Sequence, residues 1–139
     1  MKTTVLIVED EALIALDLQR KLESEGYSVS AIADNASDAL WSVEHHPPSL
    51  ILMDVRLKGP VDGIEIGTRI RRRFSLPVIF VTAHADDETL ARAKVAEPFG
   101  YIVKPFHNVN FHAQIEMAIS KHRAEQRLVI SEAFRRTRH

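Results

Sequence analysis

There is no cysteine among the 139 residues, which excludes disulfide bridges and thiolate-held metals. No apolar run approaches the roughly 18 residues that a membrane-crossing helix needs. The chain opens on a strand-like run, without the basic and then apolar stretch of a secretory signal. Internal repeats and low-complexity segments are missing too. What remains is 45% hydrophobic and 27% charged residues, the balance of a soluble globular protein. The length suits one domain with a core of its own, and a cytoplasmic setting is expected.

The net charge of −1 is unevenly spread: residues 121–139 carry six basic side chains (Lys121, Arg123, Arg127, Arg135, Arg136, Arg138) against Glu125 and Glu132, leaving residues 1–120 at −5. The tail also holds acids and has no aromatic pattern, so a solvated helical extension or linker is expected rather than a nucleic-acid or membrane surface. The Arg71-Arg72-Arg73 run is read as a solvated face that suits a helix C-terminus.

Strand-like and helical patterns alternate five times along the chain. Strands are expected at about Thr4–Val8, Ser28–Ala33, Leu50–Asp54, Pro77–Thr82 and Gly100–Val103. Helix one is expected from about Glu11 to Glu25, with Leu13, Leu16, Leu18 and Leu22 inward and Gly26 as its stop. Helix two starts at Asn35 or Ser37, carries Ala36, Ala39, Leu40 and Val43 at helical spacing, and is broken by His45-His46-Pro47-Pro48. Helix three covers about Ile64–Arg73 with Ile64, Gly67 and Ile70, or Ile66 and Ile70, inward. Helix four covers about Asp87–Ala96. Helix five, capped by Asn108, buries Phe111, Ile115, Ala118 and Ile119 and continues past Lys121 through Leu128, Val129 and Ile130. That extension is a tail, a dimer contact or a linker, with too few apolar positions for a firm coiled coil. Residues 1–121 are therefore read as one domain and 122–139 as its basic extension.

Strands separated by helices imply right-handed crossovers and a doubly wound parallel sheet. Unbroken apolar runs such as Leu50-Ile51-Leu52-Met53 fit strands buried on both faces. The pattern defines (βα)5 and leaves the strand order open. In open parallel sheets, ligands collect outside the carboxyl ends of the strands. Glu9 and Asp10, Asp54, Thr82 and Lys104 each close one of the runs. Three clustered carboxylates resist joint ionisation unless a cation intervenes. A hard divalent ion such as Mg²⁺, which takes oxygen ligands, meets that need. With a hydroxyl and an ammonium added, the set suits an aspartyl-phosphate site.

The chain resembles the response-regulator receiver domains of two-component signalling. The matching pieces are Val8-Glu9-Asp10-Glu11, Leu52-Met53-Asp54-Val55-Arg56, Asp62-Gly63-Ile64-Glu65, Val78-Ile79-Phe80-Val81-Thr82-Ala83 and Tyr101-Ile102-Val103-Lys104-Pro105-Phe106. Each is weak alone; their order across residues 4–120 makes the signal specific. The resemblance implies an α/β fold with strand order 2-1-3-4-5. It implies Asp54 as phosphoacceptor, Mg²⁺ on Asp10, Asp54 and the Arg56 backbone carbonyl, and Glu9 assisting through water. Thr82 and Lys104 would contact the phosphoryl group, beside the small Ala83. Tyr101 would be the aromatic switch, and the Lys104–Pro105 bond would be cis. The implied partner is a histidine kinase or histidine phosphotransfer protein. The implied output face is helix four, strand five and helix five, used for partner binding or dimerisation, since no DNA-binding domain follows. No direct nucleic-acid binding is expected, and no enzymatic turnover beyond self-phosphorylation and self-dephosphorylation.

This sequence departs from the family pattern at Glu9, where Asp is commoner, in a loop Arg56–Gly63 one residue longer than usual, and at Glu97-Pro98-Phe99-Gly100, which points to an early end of helix four. The variant resembles receivers that sit in larger chains beside sensor modules and kinases, so a fragment of a hybrid kinase is the alternative. A Mg²⁺-dependent aspartyl-phosphate phosphatase is less compatible, lacking a second general acid two residues after Asp54 and any substrate cap. A flavin-binding domain is disfavoured because Glu9-Asp10-Glu11 would repel a phosphate, and a degenerate interaction domain because the constellation is intact. Arg56 and His84 flank the expected mouth; they either meter water entry or are plain solvated residues. The other histidines, His45, His46, His107, His112, His122 and His139, lack metal-ligand spacing and are read as exposed.

Overall fold

A computed structural model describes residues 2–83, 87–95, 98–106 and 109–137, apart from the side chains of Asp87 and Val95. The strands are β1 (Thr4–Val8), β2 (Ser28–Ala33), β3 (Leu50–Asp54), β4 (Val78–Thr82) and β5 (Gly100–Val103). The helices are α1 (Ala12–Ser24), α2 (Ala36–His45), α3 (Gly63–Phe74), α4 (Asp87–Val95) and α5 (Phe111–Thr137). The five strands pair in parallel in the order β2-β1-β3-β4-β5.

Alternation along the strands sorts the core into two layers, because successive side chains point to opposite faces. Val5, Ile7, Leu50, Leu52, Ile79 and Val81 meet Ala15, Leu18 and Leu22 of α1 and Phe111, Ile115 and Ala118 of α5. Leu6, Val8, Ile51, Met53, Val78 and Phe80 meet Ala39 and Val43 of α2, Ile64, Ile66 and Ile70 of α3, and Ala93 of α4. The central strands β3 and β4 are buried at every position.

Helix one faces inward differently from the expected pattern. Leu13 is 83% and Leu16 46% exposed, while Ala15, Leu18 and Leu22 are buried. A spacing of three and four residues aligns 15, 18 and 22 on one stripe and turns 13 and 16 away from it. All of Ile64, Ile66, Gly67 and Ile70 are buried on α3, so its apolar stripe is wider than either expected set. Arg71 turns partly inward, 5.9 Å from the Phe99 ring centre, while Arg72 and Arg73 stay exposed.

Local chemistry explains the ends. The Asn35 side chain accepts the Asp38 N–H at 2.9 Å and caps α2, and Asp62 does the same for Glu65 at 2.9 Å on α3. Gly26 follows α1 at φ +93°, where a side chain would strain the turn. At α5 the cap is Asn110, whose side chain accepts the Ala113 N–H at 2.9 Å; Asn108 lies outside the described residues, as do His84, His107 and His139. Helix α5 runs unbroken through residue 121 to Thr137. Leu128, Val129, Ile130 and Phe134 on its far end are exposed. Among the described residues no helix is long and apolar enough to cross a membrane.

Candidate functional site: an acidic cluster with a lysine

The carboxyl ends of β1, β3 and β4 lie side by side because the strands are parallel and in register, with Val8 opposite Met53 and Asp54 opposite Val81. Glu9, Asp10 and Asp54 therefore converge: each offers an oxygen within 4.8 Å of the others'. Glu9 and Asp54 are buried, at 2% and 5% exposure, and Asp10 is half-buried.

Lys104 arrives from the end of β5. Its Nζ lies 2.9 Å from Glu9 Oε2 and 3.4 Å from Asp54 Oδ2. The Lys104–Pro105 bond is cis, and the Lys104 backbone N–H donates to the Thr82 carbonyl at 2.8 Å. Asp54 Oδ1 accepts the Arg56 N–H at 3.1 Å, and Glu9 Oε1 accepts the Glu11 N–H at 3.3 Å. Thr82 is buried one strand away, and Ala83 beyond it is exposed.

Burial pushes the Glu9 carboxyl up to about 7, with hydrogen bonding to Asp54 adding to the rise and Lys104 opposing it. For Lys104, burial acts to lower the pKa, but the bond to Glu9 and the Asp54 charge outweigh it and raise it. Glu9 rises chiefly through burial and secondarily through Asp54, whereas Lys104 rises because the neighbouring carboxylates leave an excess of negative charge. Three hard oxygen donors with that excess match the ligand chemistry of Mg²⁺, so the residues present fit the ion.

Tyr101 and the side chain of Arg56 sit apart from the cluster. Tyr101, on β5 opposite Phe80, is half-buried against the layer containing α4. The exposed Arg56 side chain lines a neighbouring polar cleft of about 310 Å³ with Asp62, Glu88, Thr89 and Arg92. Across that cleft Arg92 pairs with Asp62.

Four features escape a reading of the sequence. The Glu9–Lys104 pair joins residues 95 positions apart, and nothing local signals it. The Asp62–Arg92 pair spans 30 positions. Gly63 stands where an added Cβ would lie 1.7 Å from the Asp54 carbonyl oxygen; the Asp62-Gly63 pair before a helix was its one visible trace. His122 is half-buried, not exposed, with Nε2 2.6 Å from the Ser75 carbonyl.

A five-stranded sheet in this order, with acids at the central strand ends and a lysine on the last strand, is the architecture of a signalling receiver. The chain belongs to the response regulator receiver domain family, whose model matches residues 5–116. It is 37% identical over 119 residues to the transcriptional regulatory protein PdtaR of Mycobacterium tuberculosis, covering 86% of this chain and 58% of that protein. It is 36% identical over 120 residues to the phyllosphere-induced regulator PhyR of Methylorubrum extorquens, covering 86% of this chain and 44% of that one. The chain thus spans about half the length of these relatives. The signal receiver domain of a modulated diguanylate cyclase from Desulfovibrio desulfuricans superposes with a TM-score of 0.84 at 42% identity, over 90% of this chain and 99% of that one. Receiver domains are signalling switches of two-component systems that bind Mg²⁺ at an acidic pocket and interact with histidine kinases or phosphotransfer proteins.

Proposed function

We propose that the chain is a phosphorylation switch in which Asp54 accepts a phosphoryl group from a partner histidine kinase or histidine phosphotransfer protein. The observation that carries this reading is the convergence of Glu9, Asp10 and Asp54 with Lys104 at the ends of separate strands. Asp10, Asp54 and the Arg56 carbonyl are the residues to hold Mg²⁺, with Glu9 assisting through water. The ion, when bound, neutralises negative charge on the carboxylates and on the transferring phosphoryl oxygens.

The residues divide the work. An Asp54 carboxylate oxygen attacks phosphorus, the bond from phosphorus to the donor breaks, and an acyl phosphate forms on Asp54. Lys104 is already held at the cluster and exchanges a carboxylate partner for a phosphoryl oxygen. Thr82 donates its hydroxyl to another, with Ala83 leaving room beside it. Tyr101 then follows Thr82, and the α4–β5–α5 face changes for partner binding or homodimer formation. This is a population shift driven by local charge. The domain occupies residues 1–121, with 122–139 as its basic extension or linker. The protein works in the cytoplasm, turns over no outside substrate and does not touch nucleic acid directly.

The test is intact mass after incubation with Mg²⁺ and a small phosphodonor. Wild type is expected to carry one acid-stable, base-labile phosphoryl adduct, and Asp54→Asn none. An adduct on Asp54→Asn, or none on wild type, overturns the reading.

A further inference from the structure

The Asp62 carboxylate has two partners on two helices. Its Oδ1 accepts the Glu65 N–H at 2.9 Å and caps α3, while its Oδ2 accepts the Arg92 guanidinium of α4. The two helices are held unequally. On α3, Gly63, Ile64, Ile66, Gly67 and Ile70 are buried, and the Gly63 N–H donates to the Val55 carbonyl at 2.8 Å. On α4, Ala93 is the one buried side chain among those described, with Thr89 and Leu90 half-buried. A tie between a firmly seated helix and a lightly seated one restrains the second, since an element with little buried surface is the easier to displace.

The pair spans a polar cleft that begins beside Asp54, because Val55 and Arg56, the next two residues, line it. The Arg56 N–H donates to Asp54 Oδ1 at 3.1 Å, so the segment 55–62 is bonded to the carboxylate at one end and carries Asp62 at the other. A second acid, Glu88, lines the same cleft one turn before Arg92 on its own helix, and it is exposed. Acid first and base four residues later is the order that favours pairing along a helix. Arg92 thus has two carboxylates within one cleft, one on α3 and one on α4. The choice between them decides whether α4 is tethered, and two discrete arrangements are what a switching element requires.

We propose that the Asp62–Arg92 pair is a latch on α4. Joined, it holds the helix in its resting position; parted, Arg92 turns to Glu88 and the helix is released. The latch rests on the switch reading only in expecting phosphorylation of Asp54 to part the pair through segment 55–62. Arg92 is 50% and Asp62 32% exposed, so water screens the pair and its effect is modest, about a two- to fivefold change in the population of released α4. A weak tie suits a switch, because a small input parts it.

The test follows amide hydrogen exchange of the full chain by NMR, first without phosphodonor. Asp62→Asn removes the charge and keeps a good helix cap; Arg92→Gln removes the other partner. Each is expected to speed exchange of the α4 amides from Ala91 to Lys94 about two- to fivefold, with the α3 amides from Ile66 to Ile70 unchanged. The double variant should be no faster than either single one. Unchanged α4 exchange in both single variants, an equal rise in α3, or additive effects in the double variant would overturn the latch. The Arg92 Nε–H signal should ignore Glu88→Gln in wild type and shift with it in Asp62→Asn; indifference in both backgrounds overturns the exchange of partners. Phosphodonor-treated wild type, with the adduct confirmed by mass, should show the same faster α4 exchange, and exchange as slow as before overturns the link to phosphorylation. Absence of the adduct counts against the switch reading alone, because the latch is decided on the unphosphorylated variants.

Discussion

Gly63→Ala is the sharpest test of how the fold holds the strand that carries Asp54. Gly63 opens α3, and its N–H donates to the Val55 carbonyl at 2.8 Å. A Cβ there would lie 1.7 Å from the Asp54 carbonyl oxygen, 2.7 Å from its carbon and 3.0 Å from Val55 Cα. These are main-chain atoms of a buried strand, so no side chain can rotate away. The start of α3 has to retreat by an ångström or more, and the bond to Val55 goes with it. Overpacking of this kind costs about 1–3 kcal/mol and the lost bond about 1 kcal/mol, against about 1 kcal/mol regained from alanine's helix preference. The expected loss is about 3 kcal/mol at the upper end of these ranges, read as a lower midpoint in urea unfolding. Gly26→Ala is the internal control. Gly26 has φ +93° with nothing within 4 Å of the added carbon, so it isolates backbone strain, about 1 kcal/mol. A Gly63→Ala protein within about 0.5 kcal/mol of wild type, or no worse than Gly26→Ala, would refute the packing argument.

Removing the Asp62 side chain takes away both a helix cap and a surface ion pair. Asp62→Ala should therefore cost about 1–2 kcal/mol and Arg92→Ala at most about 1 kcal/mol, measured by urea unfolding and a double-mutant cycle. Mg²⁺ should raise the melting temperature of wild type, by about 1.4 kcal/mol of stability at tenfold excess over its dissociation constant; thermal scans of Asp10→Asn should show that gain much reduced. Burial raises the Tyr27 phenol pKa, and hydrogen bonding to Glu116 adds to the rise. A raised folded-state pKa means that the stability it contributes is complete below the ordinary value of 10.0 and is lost as pH rises above it. Wild type should therefore lose stability more steeply than Tyr27→Phe in alkaline unfolding curves.

Much of the fold was legible locally. Runs such as Leu50–Asp54 and Val78–Thr82 mark strands buried on both faces, and Asn35, Gly26 and the Pro47-Pro48 pair mark helix limits, because each acts on its own few residues. Helix one was harder. Its leucines outnumber the positions facing the sheet, so composition favoured Leu13 and Leu16, whereas the helical phase selected Ala15. The start of α5 followed Asn110 because that side chain reaches the free N–H of Ala113; asparagine at 108 and at 110 look alike in sequence.

By itself the sequence determined the five alternating units and placed Glu9, Asp10, Asp54, Thr82 and Lys104 at strand ends, since strand length and apolar burial are local properties. Their gathering into one cluster depended on strand order, which sets β1 beside β3, and on a long-range bond from Lys104 to Glu9. The tertiary structure alone decided that Glu9 is buried enough to carry a raised pKa and that Gly63 is pressed against the Asp54 carbonyl. It alone set Arg92 against Asp62, 30 positions earlier. Burial and close approach are properties of what packs against a residue, and those neighbours lie tens of positions away along the chain.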